Sequence, residues 1–150
     1  MRIAIGCDHA GFDLKPTIKN YLIEKGIEII DEGTYSSESV DYPEYAKKVA
    51  IDIISDKADL GILICGTGIG ISIAANKIHG IRAVACSEPF SAKLSREHNN
   101  TNILAFGSRV IGSELAKMII DVWLNAKFQG GRHQKRLDQM TQIEKDESLS

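Results

Sequence analysis

The sequence contains no apolar run long enough to span a bilayer, so a membrane is not an expected partner. It also lacks an excess of charge of either sign. Lys and Arg number 18 against 20 Asp and Glu, a formal charge of −2. A general nucleic-acid binder would carry a basic footprint, so nucleic acid is not an expected partner either. Cysteine is scarce, and Cys7, Cys65 and Cys86 fall in no CxxC or Cys/His ligand spacing. An odd count without such spacing predicts reduced thiols and no metal site. The charged, apolar and cleavage-site layout of an export signal is missing from the N-terminus, which makes the cytoplasm the expected compartment. No linker, repeat or low-complexity stretch divides the 150 residues, a length that suits one domain over 1–150.

What is present is an alternation of short apolar runs with longer amphipathic stretches. Strands are predicted over Arg2 to Cys7, Ile27 to Asp31, Leu60 to Cys65, Ile81 to Cys86 and Asn102 to Phe106. Helices are predicted over Leu14 to Lys25, Pro43 to about Ser55, Gly70 to about Lys77, Pro89 to about Glu97 and Gly112 to about Lys127. In the last of these, Leu115, Ile119, Val122 and Trp123 form the apolar stripe. Gln129-Gly130-Gly131 breaks the chain, and a helical pattern resumes from His133. Five strands separated by helices imply an α/β domain, doubly wound and Rossmann-like. Its expected core is a five-stranded parallel sheet with helices on both faces and a C-terminal helical extension. Ligands of such sheets bind beyond the carboxyl ends of the strands. That rule directs attention to the loops after Cys7, Cys65, Cys86 and Phe106.

The strongest local signal is Cys65-Gly66-Thr67-Gly68-Ile69-Gly70. Glycines between a strand and a helix let backbone N–H groups approach an anion closely. The segment is not a Walker A loop, and it fits GxGxxG poorly. A thiol at Cys65 would sit among those N–H dipoles, an environment that favours thiolate and hence nucleophilic or basic chemistry. A buried core thiol is the plain alternative, and Cys7 and Cys86 also end strands. Asp8-His9 could meet a sugar hydroxyl and a phosphate, or simply cap a helix. His98 could act as a general acid or base, or as a cation at a helix C-terminus. Arg132 and Arg136, four apart, would share a helix face suited to phosphate or a solvated basic face. Arg109 lies just past the fifth strand as a further anion contact. Together these residues suggest a small site at one sheet edge for proton transfer beside a carbonyl of a phosphorylated small molecule.

Five segments occur in order: Gly6-Cys7-Asp8-His9-Ala10-Gly11, Ser39-Val40-Asp41-Tyr42-Pro43, Cys65 to Gly70, Ser95-Arg96-Glu97-His98-Asn99, and Phe128-Gln129-Gly130-Gly131-Arg132-His133. In these the chain resembles the family of sugar-phosphate isomerases that includes ribose-5-phosphate isomerase type B and the galactose-6-phosphate isomerase subunits. The resemblance implies interconversion of ribose 5-phosphate and ribulose 5-phosphate without a cofactor. It implies Cys65 as the base between C2 and C1, His98 in opening the furanose ring, and Thr67 beside the proton transfer. It implies an anion hole for the enediolate in Gly66, Thr67, Gly68, Ile69 and Gly70. Asp8 and Asn99 match sugar-binding positions, and Tyr42 matches a pocket-lining one. His9, Arg109, Arg132 and Arg136 match positions that contact the substrate, mostly at its phosphate. The family's assembly implies a homodimer, in some members paired as a dimer of dimers, with sites shared between subunits and some of His98, Asn99, Arg132 and Arg136 acting across an interface. A six-carbon sugar phosphate (allose or galactose 6-phosphate) and a non-catalytic sugar-phosphate-binding module are the rival readings.

Overall fold

The computed structural model describes residues 1–150. Five strands, β1 (Arg2–Cys7), β2 (Glu28–Asp31), β3 (Leu60–Cys65), β4 (Ala83–Ala85) and β5 (Ile103–Gly107), form one sheet. Its order is β2-β1-β3-β5-β4, and every pairing is parallel. The helices are α1 (Lys15–Glu24), α2 (Tyr42–Ile54), α3 (Ile69–Ala75), α4 (Pro89–Asn99), α5 (Ser113–Asn125) and α6 (Arg132–Lys145), with a single 3₁₀ turn at Glu147–Leu149. The expected doubly wound α/β fold with a helical C-terminal extension is borne out. Strand order reverses between β1 and β3, which opens a crevice at their carboxyl ends.

Alternation along the strands sorts side chains into two layers. Ile3, Ile5 and Cys7 of β1, Ile62 and Ile64 of β3, and Leu104 and Phe106 of β5 pack with Ile18 and Leu22 of α1 and Ile119 and Trp123 of α5. Ala4, Leu63, Cys65, Ile103 and Ala105 face the other way, onto Val49 of α2 and Ile71 of α3. Cys65 therefore belongs to the α2/α3 layer, and Cys7 to the opposite one. The α2 layer lies close to the sheet because β1 and β3 present glycine there. A Cβ at Gly61 would meet Val49 Cγ1 at 2.7 Å and Ile53 Cδ1 at 3.0 Å, and one at Gly6 would meet Val49 Cγ2 at 2.9 Å.

Some boundaries differ from the sequence reading. β4 is confined to Ala83–Ala85, because it is an edge strand and Asn76 takes over its outer bonds. The Asn76 amide donates to Ala83 O at 2.8 Å and accepts from Ala83 N at 2.7 Å. Such a cap blunts an edge that would otherwise invite another strand. Helix α3 ends at Ala75 rather than Lys77. On α5 the buried face is Ala116, Ile119, Ile120 and Trp123, with Leu115 and Val122 only partly covered. The helix turns a small residue toward the sheet where the approach is closest, and a pattern of large apolar residues misses it. No helix is long and apolar enough to cross a membrane.

Crossover helices run antiparallel to the strands they connect. The C-terminal end of α4, with His98 and Asn99, therefore lies at the amino-terminal edge of the sheet, where β5 begins. Substituting Gly61→Ala drives a methyl into Val49 and Ile53 without altering the loops that carry chemistry. We expect it to destabilise the fold by about 1–3 kcal/mol, read as a lower urea midpoint with an unchanged m-value.

Candidate active site

The carboxyl end of β3 delivers Cys65 into a turn whose backbone bends around the sulfur. Gly68 N donates to Cys65 Sγ at 3.1 Å, and Cys65 is 4% exposed. Gly68 holds the left-handed conformation, φ 79° and ψ −9°, which lets the chain double back and begin α3. Thr67 is exposed, and its Oγ1 accepts from Ile69 N at 3.2 Å. The N–H groups of Gly66, Thr67 and Gly70 donate to no acceptor in the chain. The turn thus carries a thiol and a set of unengaged donors within a few residues, the arrangement an oxyanion requires.

Neighbouring loops close around this turn. Ser108 Oγ lies 2.6 Å from Ala10 O and 3.3 Å from Cys65 O, tying the loops after β1, β3 and β5 together. Arg109 N donates to Gly66 O at 3.1 Å, and its guanidinium lies over Gly66. The Tyr42 ring covers Gly70, where an added Cβ would come 2.7 Å from Tyr42 Cζ. Asp8 is buried and spends Oδ1 on Ala10 N at 3.0 Å and Gly11 N at 3.3 Å, an Asx turn in the loop after β1; α1 is capped at Leu14 with no side-chain bond, so the helix-cap alternative does not hold. His9 Nδ1 lies 3.2 Å from both N and O of Val40, which ties the ring to the loop ahead of α2. Cys65, Gly66, Thr67, Gly68, Ile69, Gly70, Asp8, His9, Tyr42 and Arg109 are thus brought together as the sequence suggested.

Burial pushes Cys7 and Cys86 each up to about 11, so both remain protonated near neutral pH. No three His, Cys, Asp or Glu side chains converge as a metal-ligand set.

His98, Asn99, Arg132 and Arg136 do not join the thiol, and here the one-edge picture is corrected for a single chain. His98 and Asn99 end α4 at the amino-terminal sheet edge, and no hydrogen bond, ion pair or ring contact links them to the Cys65 turn. Arg132 and Arg136 project from the first turns of α6, exposed beside them. The residue sequence reasoning missed is His133, which is buried and stacks on His98 with ring centroids 4.2 Å apart and planes 8° apart. It lay inside the basic run, but only the fold reveals which ring it meets. Two cavities, of about 380 and 530 Å³, open elsewhere, and neither is lined by Cys65 or Asp8. The Cys65 sulfur is buried, whereas Thr67 and Ile69 of its turn are exposed.

Burial, and then the charges of His98, Arg132 and Arg136, hold the His133 imidazole below the ordinary histidine range. Its neutral form is favoured by folding. That contribution to stability is complete above the unfolded value and is lost as pH falls through the lower folded one. Acidification from about pH 7.5 to about pH 5.5 is expected to lower the denaturant midpoint more steeply in wild type than in His133→Gln.

Comparison with known proteins agrees with this geometry. The ribose/galactose isomerase family model matches residues 3–140. The chain is 64% identical over 143 residues to ribose-5-phosphate isomerase B of Escherichia coli, covering 95% of this chain and 96% of that protein. It is 45% identical to D-erythrulose-4-phosphate isomerase of Pectobacterium atrosepticum, covering 98% and 97%. A crystallised Clostridium thermocellum ribose-5-phosphate isomerase B superposes with a TM-score of 0.97 at 53% identity, covering all of both chains. From its matched length, its fold and the turn around Cys65, the chain belongs to the ribose/galactose isomerase family.

Proposed function

We propose that the chain is a cofactor-independent aldose-ketose isomerase that interconverts ribose 5-phosphate and ribulose 5-phosphate. The observation that carries the proposal is the Cys65 sulfur under the Gly68 N–H, beside a turn of unengaged backbone donors. In the open-chain aldose, the Cys65 thiolate takes the proton from C2. The C–H electron pair becomes the C1=C2 double bond, and negative charge moves onto O1. N–H groups of the 66–70 turn hold that oxygen where the charge develops. Thr67 hydroxyl relays the proton between O2 and O1. The thiol then returns its proton to C1, leaving the C2 carbonyl of the ketose. Asp8 and Tyr42 border the sugar, and His9 and Arg109 meet the polar end of the substrate.

His98, Asn99, Arg132 and Arg136 act on the site of a neighbouring copy. Two features support a homodimer with shared sites. Ring-opening and phosphate-binding groups stand at the opposite sheet edge from the thiol. Ile51 and Ile54 of α2 and Ile69 and Ile73 of α3 are also exposed, an apolar surface adjoining the Cys65 turn. A two-fold contact would cover that surface and roof both sites at once. His98 then opens the furanose, and the arginines hold the phosphate.

The identity to a pentose-phosphate isomerase supports the five-carbon sugar over a longer one. On this reading kcat/KM is higher for ribose 5-phosphate than for allose or galactose 6-phosphate, as a side-by-side assay would measure. Cys65→Ala should lower kcat by about 10²-fold or more with a retained fold. Mixing Cys65→Ala with His98→Asn tests the sharing. Half the dimers are hybrids with one intact site of two, so about a quarter of wild-type turnover should return from two inactive parents. Inactive mixtures of well-folded, exchanging dimers would overturn the shared site.

A further inference from the structure

The end of α4 is held by more machinery than a helix terminus needs. Its C-cap, Asn100, is left-handed at φ 46° and ψ 48°, a conformation that is unfavourable for a non-glycine residue. A glycine there would end the helix without strain. Arg82 Nε lies 3.0 Å from both Asn99 O and Asn100 O. Arg96 Nη1 donates to Asn100 Oδ1 at 3.3 Å and to Thr101 O. The Arg96 guanidinium stands 5.5 Å from the centre of the Trp123 ring, a cation–π contact.

Both arginines are anchored from behind. Arg82 N donates to Asn102 Oδ1 at 2.8 Å, and Asn102 Nδ2 donates to Gly80 O at 2.9 Å. Trp123 Nε1 donates to Thr101 Oγ1 at 2.9 Å, and Ser95 Oγ donates to Ala92 O at 2.7 Å. The Thr101 hydroxyl is thereby left to donate to Ser95 Oγ at 2.9 Å, so every proton in this network has one direction. Neither guanidinium forms an ion pair with a carboxylate. Burial lowers both from the ordinary arginine value, and Arg82 adds to the effect on Arg96. Two neighbouring, half-buried cations are costly; Glu144 offsets part of this at Arg82, and the direct partners of the two guanidiniums are the terminal carbonyls, the Asn100 side chain and, for Arg96, the Trp123 ring.

We propose that Arg82 and Arg96 are positioning residues that clamp the last turn of α4 and so fix His98 and Asn99 for ring opening. This rests on the role given to His98 above. A clamp of this kind matters most where a helix end must reach into a site built largely by another chain. A misplacement of about 1 Å there costs about 10²-fold in rate.

Two reactions separate the clamp from a merely structural role. Conversion of ribose 5-phosphate requires the furanose to open. Ribulose 5-phosphate has its C5 oxygen esterified and forms no furanose, so exchange of its C1 hydrogen with deuterium in D₂O needs the Cys65 end of the site and the phosphate-holding arginines, but not ring opening by His98. In Arg82→Lys and Arg82→Met, kcat on ribose 5-phosphate is expected to fall about tenfold to a hundredfold. Deuterium exchange, followed by proton NMR, is expected to stay within about twofold of wild type, and that retained rate is the control for folding. Arg96→Lys, which keeps a cation near Trp123 but loses the guanidinium fork, should behave alike. Equal losses in both reactions, or none in either, would overturn the clamp. His98→Asn is run beside them. If it loses conversion while the arginine variants do not, the clamp alone fails. If it converts ribose 5-phosphate at the wild-type rate, the His98 reading fails and the clamp fails with it.

Discussion

A Cβ atom at Gly107 would come within 2.5 Å of Thr67 Cα and 2.6 Å of Gly66 O, and one at Gly68 within 2.7 Å of the Phe106 backbone. At the carboxyl end of β5, backbone therefore rests directly on backbone, with no side chain between. This contact fixes the height of the 66–70 turn above the sheet. The turn in turn fixes where Gly68 N meets the Cys65 sulfur. Ser108, next to Gly107, extends the same lock to the loop after β1. A proton-transfer site needs its donors in place before charge develops, and a turn pressed onto a strand has little freedom to reorganise.

The parallel topology that makes this platform also divides the chemistry. Each crossover helix returns the chain to the amino-terminal edge, so residues late in a helix are a strand's length from residues at a strand's end. Cys65 ends β3, whereas His98 and Asn99 end α4. No change of side chain within one copy can bring these groups together. A second copy can, because a two-fold operation sets one edge of the sheet against the other surface of its mate. The exposed isoleucines of α2 and α3 adjoin the Cys65 turn and offer such a contact an apolar surface.

Local features were legible in the sequence because local physics sets them. β3 runs from Leu60 to Cys65 as its continuous apolar pattern indicates, since a strand covered on both faces has no polar side. The glycine turn could be read for the same reason, being a matter of a few consecutive residues, whereas Asp8 closes an Asx turn in its loop rather than capping α1. Boundaries slipped where a distant partner decides. β4 shortened because Asn76, on another element, took its edge bonds. The stacking of His133 on His98 joins residues in two different helices, and no spacing rule reaches that far. Ordered motifs singled out candidate residues, but not which edge of the sheet each occupies. That depends on helix direction in three dimensions, and it is where the single-edge picture failed.

Charge is divided between the two basic residue types in a way that follows from their chemistry. Apart from Arg2 on Asp59, the ion pairs of the fold are made by lysines: Lys15 and Lys19 share Asp31, Lys25 takes Asp121, Lys57 bridges Glu32 and Asp52, Lys93 takes Glu97, and Lys117 takes Glu114. Burial would raise the Asp31 carboxyl, but Lys15, Lys19 and Gly33 N together hold it below the usual carboxylate range. A lysine suits this work, as a compact charge on a flexible stem that reaches a single acid. Arg82, Arg96, Arg109, Arg132 and Arg136 form no ion pair with a carboxylate. A guanidinium kept free of acids retains its planar fork for carbonyls or for phosphate oxygens. At Arg82 and Arg96 the fork is spent on the backbone, and at Arg132 and Arg136 it faces solvent beside His98. Near-neutral overall charge therefore conceals a strong local field. Lysines take the paired acids, and the exposed guanidiniums of Arg132 and Arg136, unpaired with any carboxylate, stand where a phosphorylated substrate would be held.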